Sequence, residues 1–324
     1  MHEVVRDMKE IRTKAYAKIN LSLDVLGLTA DGFHEVEMLM QAIKLHDDVK
    51  VRWSPSEEGS EYKINLKTDL PYVPDDERNI AYKAALLMNE KFPHKGRVSI
   101  YIHKRIPVAA GLAGGSGNGA AVVMALARLW ELNLSMKELM DLGAELGSDV
   151  PFSMMAQAAC NGVFGLKDDP LAATCALAKG RGVDLEPKGA LSANVVLVKP
   201  PISVSTKEVY KGIDECEVTE HPDNGKLVMA IEEAGGILTA ENRIAIKACM
   251  VNVLENYTIN RYDSVKAIKN KIVRIVGQEE IVLMTGSGPT VFTLLENREV
   301  AIELARKLRE EKNQNQVFVT RTMM

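Results

Sequence analysis

The chain has 324 residues, 46% of them apolar, enough to fill two domains with sizeable cores. Its 40 basic and 44 acidic residues are spread along the sequence for a formal charge of −4, which leaves no basic stripe and argues against a nucleic-acid partner. No apolar run reaches the about 18 residues of a membrane span, the first residues lack the character of a signal or transit peptide, and Cys160, Cys175, Cys216 and Cys249 stand apart without a CxxC; a cytoplasmic chain with reduced thiols is expected.

In chain order, KAYAKINLSLDVLGL alternates apolar and polar residues from Lys14 and predicts a strand ending near Gly27. A turn over residues 29–34 leads to strands over 35–45 and 48–53, so the opening reads as antiparallel β. Ile80, Ala84, Leu87 and Met88 have helical spacing within 79–92, and Val98, Ile100 and Ile102 alternate again. After a glycine loop, helices are predicted over Ala120–Leu132 and from the capping box at Ser135 to Gly147. Residues 147–152 read as a turn because Pro151 pushes Val150 toward extended geometry, and 160–174 as a surface excursion. Ala193–Val198 is a buried strand near the domain change, giving domains 1–190 and 191–324. Helices over 225–234, 241–256 and 262–276, a strand at 281–286, a strand TVFTLLE, a helix to about Glu310 and a last strand VFVTR complete an α+β pattern.

The loop IPVAAGLAGGSGNGAAVV, residues 106–123, sets five glycines within nine residues ahead of a helix. Gly114 to Gly119 has Walker spacing, but Ala120 and Ala121 stand where lysine and a hydroxyl residue belong. A dinucleotide fingerprint on Gly115, Gly117 and Ala120 lacks the buried strand that should run directly into it. What fits is a phosphate loop without a lysine, in which backbone N–H groups and a helix N-terminus converge on the anion. A tight turn joining strand to helix is the plainer alternative, which one or two glycines would satisfy.

The segment from Pro107 to Asn118 resembles the PxxxGLGGGSSNA loop of the kinases named for galactose, homoserine, mevalonate and phosphomevalonate, the GHMP superfamily. AYAKINLSLDVLG from Ala15, ADGFHEV from Ala30, GSDVPF from Gly147, Asn252-Val-Leu-Glu255 and TGSGP from Thr285 are similar, in order, to the branch whose acceptor is a cytidine diphosphate-linked methylerythritol. The resemblance covers about residues 14–295. It implies the two-domain α+β GHMP kinase fold, with a ribosomal S5-like N-terminal ATP-binding domain and a ferredoxin-like C-terminal substrate-side domain. It implies ATP-dependent phosphorylation of a 2-hydroxyl in non-mevalonate isoprenoid synthesis by a monomer or homodimer, with Mg2+ bridging the phosphates and no protein metal site.

Within that resemblance the ATP-binding loop comprises Pro107, Val108, Ala109, Ala110, Gly111, Leu112, Ala113, Gly114, Gly115, Ser116, Gly117 and Asn118. Lys18 and Asp149 match the catalytic lysine and aspartate; read alone, they are a snorkelling strand lysine and an Asx-turn residue. An ammonium beside a carboxylate keeps it ionised and turned to the substrate hydroxyl. Asn20 shares the strand face of Lys18 and is a substrate ligand, with a strand-edge polar residue as the alternative. His34 matches the histidine that recognises the cytosine edge, while Phe33 and Tyr210 match the stacking aromatics; Tyr210 reads equally well as a core tyrosine. His2, His46, His94, His103 and His221 read as structural. The chain departs from the pattern at Phe33, Ala113, Gly117, Gly119, Lys179, Ser287 and Pro289. A sister kinase for another small alcohol and a non-catalytic nucleotide-binding regulator are the competing readings.

Overall fold

Alternating burial from Ile11 to Ala17 opens β1 (Lys9–Leu28), a long strand starting five residues before the alternation predicted from Lys14. It belongs to a computed structural model that describes residues 9–29, 32–56, 61–310 and 314–324. Ala30 and Asp31 of the expected 29–34 turn, and His2, lie outside the described residues. β1 pairs with β2 (His34–Pro55), a strand that takes in both stretches predicted at 35–45 and 48–53. The chain divides into two compact units, one of residues 1–17, 46–106 and 113–173, the other of 18–45, 107–112 and 174–324.

In the first unit the second half of β2 runs antiparallel to β4 (Gly96–His103), with Val51 opposite Ile100, and β3 (Lys63–Thr68) lies parallel on the far side of β4. Val49, Val51, Val98, Ile100 and Ile102 turn one face of this sheet inward. The helices are α1 (Ile80–Lys91), α2 (Gly114–Leu129), α3 (Met136–Leu146) and α4 (Asp149–Cys160). Helix α2 is buried from Gly117 through Ala127, and its small residues let α1 come close: a Cβ on Gly119 would lie 2.6 Å from Ile80 Cγ2. Trp130 stacks on His94 at 4.1 Å and meets Trp53 edge-on at 5.5 Å, closing one end of this core.

In the second unit the first half of β2 pairs with β5 (Cys175–Lys179), and β5 with β6 (Asp184–Pro187). A separate antiparallel sheet has the order β10-β7-β9-β8, from β7 (Asn194–Lys199), β8 (Ile281–Met284), β9 (Val291–Leu295) and β10 (Gln316–Arg321). The inner strands β7 and β9 and the edge strand β8 are almost wholly buried, in keeping with their continuous apolar runs. Helices α5 (Thr206–Ile213), α6 (Asn224–Glu233), α7 (Arg243–Cys249), α8 (Glu255–Arg261), α9 (Asp263–Val276) and α10 (Arg298–Arg309) complete the unit. Gln41 on β2 donates from Nε2 to the carbonyls of Leu191 (2.8 Å) and Met323 (3.0 Å), tying chain segments far apart in sequence.

Three expectations change. Residues 149–152 open α4 rather than form a turn, because Pro151 sits in the first helical turn, where a missing N–H removes no bond. The helix expected over 241–256 is interrupted between Cys249 and Glu255, where backbone bonds of Val251 and Val253 to Leu23 draw the chain into extended pairing. The excursion at 160–174 contains a 3-10 turn, Gly162–Phe164, that buries Phe164. None of the four cysteines is in a disulfide; Cys175 and Cys249 are buried, and burial pushes the Cys175 thiol up to about 12. Among the described residues no helix is long and apolar enough to cross a membrane.

Candidate active site

Lys18 and Asn20 are buried polar residues on one face of β1, which makes them costly unless they are satisfied. The Lys18 ammonium donates to Asn20 Oδ1 at 2.7 Å, so it is held inside the strand face instead of snorkelling to solvent. Asn20 in turn meets Thr285: its backbone N–H donates to Thr285 Oγ1 at 3.2 Å, and that hydroxyl reaches Asn20 Oδ1 and the Gly111 carbonyl at 3.4 and 3.3 Å. The Lys18 N–H donates to Leu112 O at 3.2 Å. The strand, the loop segment 107–112 and the turn from Met284 to Pro289 therefore meet in the second unit.

Close backbone approach explains the glycines there. A Cβ on Gly111, whose φ is +73°, would lie 2.5 Å from the Thr285 carbonyl oxygen, and one on Gly286, whose φ is +57°, would lie 3.3 Å from the Gly111 carbonyl oxygen. The turn is braced from behind by Asn252, which donates from Nδ2 to the carbonyls of Met284 and Gly286, both at 2.8 Å. Glu255 accepts from the Met284 N–H at 2.7 Å and from Lys269 at 2.5 Å; burial pushes its carboxyl above the usual range, opposed by that ammonium. Ser287, one of the departures from the family pattern, bonds the Thr206 hydroxyl at 3.0 Å.

The rest of the glycine loop begins α2 in the first unit. Ala113 takes left-handed geometry at φ 57° and offers no side-chain cap, so the amides of Gly114, Gly115 and Ser116 have no partner within the helix. A phosphate fits that set of donors at the positive end of a helix whose first side chains are hydrogen atoms or a small hydroxyl. Ala110, Leu112, Gly117 and Asn118 are buried and hold the loop; Pro107, Gly111, Ala113, Gly114 and Ser116 are half-buried, and Val108, Ala109 and Gly115 are exposed. Gln157 fixes the first turn by donating to the Gly117 carbonyl at 2.8 Å.

An amine from outside the loop stands beside it. Lys104, at the end of β4, places Nζ 3.3 Å from where a Gly114 Cβ would be. Its buried partner is Asp47, which also accepts the backbone N–H groups of Arg105 and Ile106 at 2.7 and 2.8 Å. Neither residue carries a sequence signal: the two are 57 positions apart, and only the fold joins them.

Asp149 is the first residue of α4, half-buried, where the helix dipole favours a carboxylate. It lies in the first unit and Lys18 in the second. Phe33, His34 and Tyr210 all fall in the second unit. His34 Nε2 is 2.8 Å from Asp214 Oδ1, and its ring lies 5.1 Å from that of Tyr210. Phe33 is half exposed, with the Arg181 guanidinium 3.5 Å over its ring. Of the histidines read as structural, His46, His103 and His221 pair with Asp48, Asp69 and Asp24, and His94 stacks on Trp130.

Residues 79–157 match the model of the GHMP kinases N terminal domain. The chain is 40% identical over 309 residues to the 4-diphosphocytidyl-2-C-methyl-D-erythritol kinase of Clostridioides difficile, covering 94% of each chain. The chain belongs to the 4-diphosphocytidyl-2-C-methyl-D-erythritol kinase family. The Bacillus licheniformis member of that kinase family is 45% identical over 291 residues, covering 88% of each chain. A crystal structure of a 4-(cytidine 5'-diphospho)-2C-methyl-D-erythritol kinase superposes with a TM-score of 0.71 at 28% identity, over 97% of this chain and all of the other. Homoserine kinase from Cytophaga hutchinsonii, at TM-score 0.65 and 17% identity over 99% and 96% of the chains, shares the fold. The α+β architecture is thus that of the GHMP kinases.

Proposed function

We propose that the protein transfers the γ-phosphoryl group of ATP to the 2-hydroxyl of 4-diphosphocytidyl-2-C-methyl-D-erythritol, releasing ADP, in non-mevalonate isoprenoid synthesis. The observation that carries this reading is the buried Lys18 ammonium, fixed by Asn20 beside Gly286 of the 284–289 turn. A charge buried at that cost, in a chain 40% identical to such kinases over nearly its whole length, has work to do.

In this reading residues 1–190 carry the ATP loop, and the substrate side is 191–324 joined by the strands that bear Asn20, Phe33 and His34. The amides of Gly114 to Ser116, within the loop 107–118, bind the triphosphate, and Lys104 adds positive potential at its edge. Lys18 neutralises charge on the transferred group, Asn20 orients the acceptor, and Asp149 accepts or directs the proton of its hydroxyl. Phe33, His34 and Tyr210 take the cytosine ring. Mg2+ carried in on the nucleotide would supply charge neutralisation for the phosphates held at the 107–118 loop. Among the described residues no group of three or more His, Cys, Asp or Glu is placed to hold a metal.

The test is ADP release with and without the cytidyl substrate, and with homoserine or mevalonate in its place. Wild type turns over with the cytidyl alcohol alone. Asp149→Ala lowers kcat by about 10²-fold or more while ATP still binds. Near-normal turnover of that variant would remove Asp149 from the mechanism, and release without an acceptor preference would overturn the substrate assignment.

A further inference from the structure

We propose that Asp214 is a positioning residue that sets which nitrogen of His34 faces the base, and so makes the site choose cytosine over uracil. The inference rests on the assignment of His34 and Tyr210 to the cytosine ring. His34 begins β2 and Asp214 follows the last residue of α5, 180 positions away, yet Nε2 and Oδ1 are 2.8 Å apart. The His34 side chain is 13% exposed and that of Asp214 39%, so the bond is partly withdrawn from water.

Helix physics does not account for Asp214. A carboxylate at a helix C-terminus faces the negative end of the dipole, where a cation such as Lys211 belongs. Asp214 keeps helical backbone angles, φ −62° and ψ −21°, so it stands one turn beyond Tyr210 on the same side of α5. Both residues address His34, Tyr210 with its ring and Asp214 with its oxygen.

An ionised carboxylate only accepts, so the imidazole hydrogen lies on Nε2. In the neutral ring Nδ1 is then a bare acceptor. Cytosine carries an amine at position 4, a donor; uracil carries a carbonyl there, an acceptor. A fixed acceptor pairs with the first and repels the second. An imidazole free to move its proton between nitrogens would serve both. A site built to hydrogen-bond one partner rejects an analogue that leaves its polar group unpaired.

The experiment is competitive inhibition by CDP and by UDP against the cytidyl substrate at saturating ATP, with nitrogen-15 spectra of the histidines in the wild-type protein. The expected wild type binds CDP at least about tenfold tighter than UDP, with the His34 hydrogen on Nε2. In Asp214→Ala the two inhibition constants converge to within about threefold while kcat stays within about twofold. A wild-type hydrogen on Nδ1, or an Asp214→Ala variant that weakens both nucleotides equally, overturns the proposal. His34→Ala separates the two levels: if it leaves CDP binding intact, the cytosine assignment itself is wrong. If it abolishes discrimination while Asp214→Ala preserves it, only the role of Asp214 falls.

Discussion

At the scale of single residues, the glycines divide into those that bend the chain and those that let two backbones touch. Gly111 does both, with φ +73° and no room for a Cβ against Thr285 O, whereas Gly165 has φ +70° and nothing within 4 Å. An alanine at either site costs about 1–2 kcal/mol of left-handed strain. Gly111→Ala adds the collision with a backbone oxygen that a neighbouring turn holds in place. Urea denaturation should show a larger loss for Gly111→Ala than for Gly165→Ala, and only the former should depress turnover. Equal losses would mean that the approach of residue 111 to the 284–289 turn is slack. Sequence alone made Gly111 part of a glycine-rich loop and Thr285 part of a second one; that they meet became legible only in the fold. The lysine beside the first of these loops has no local signal for the same reason, since its partner Asp47 precedes it by 57 residues that include β3, α1 and β4.

Among the elements, those read correctly have their causes within a few residues. The capping box is one: Ser135 Oγ accepts from the Glu138 N–H, and Glu138 Oε2 accepts from the Ser135 N–H at 2.8 Å. Ser135→Ala should cost about 1 kcal/mol in urea denaturation and leave turnover unchanged. A neutral effect on stability would show that α3 is held by packing alone. The elements misread have causes elsewhere. The sequence at 241–256 has helical spacing throughout, but Leu23, on β1, claims the backbone of Val251 and Val253. Pro151 disfavours helical geometry at Val150, yet its position in the first turn of α4 makes its lost N–H harmless and the helix forms.

For the whole molecule, neither unit is a continuous stretch of chain. Residues 18–45 and 107–112 belong to the second unit, where Leu23 bonds the backbone of Val251 and Val253, and Ala42 accepts from Met323. A fragment of residues 191–324 alone would expose that apolar surface and leave those backbone groups unpaired. Such a fragment should be poorly folded by circular dichroism and urea titration, and adding residues 1–190 in trans should restore structure. A stably folded 191–324 fragment would show that the unit tolerates losing its N-terminal strands.

The bonds from Gln41 to Leu191 and Met323 carry a consequence for biosynthesis. A ribosome delivers Gln41 early and Met323 some 280 codons later, at about 5–20 residues per second. Leu191 satisfies the amide from both sides about halfway through that interval, and until Met323 follows the nascent second unit keeps an open flank.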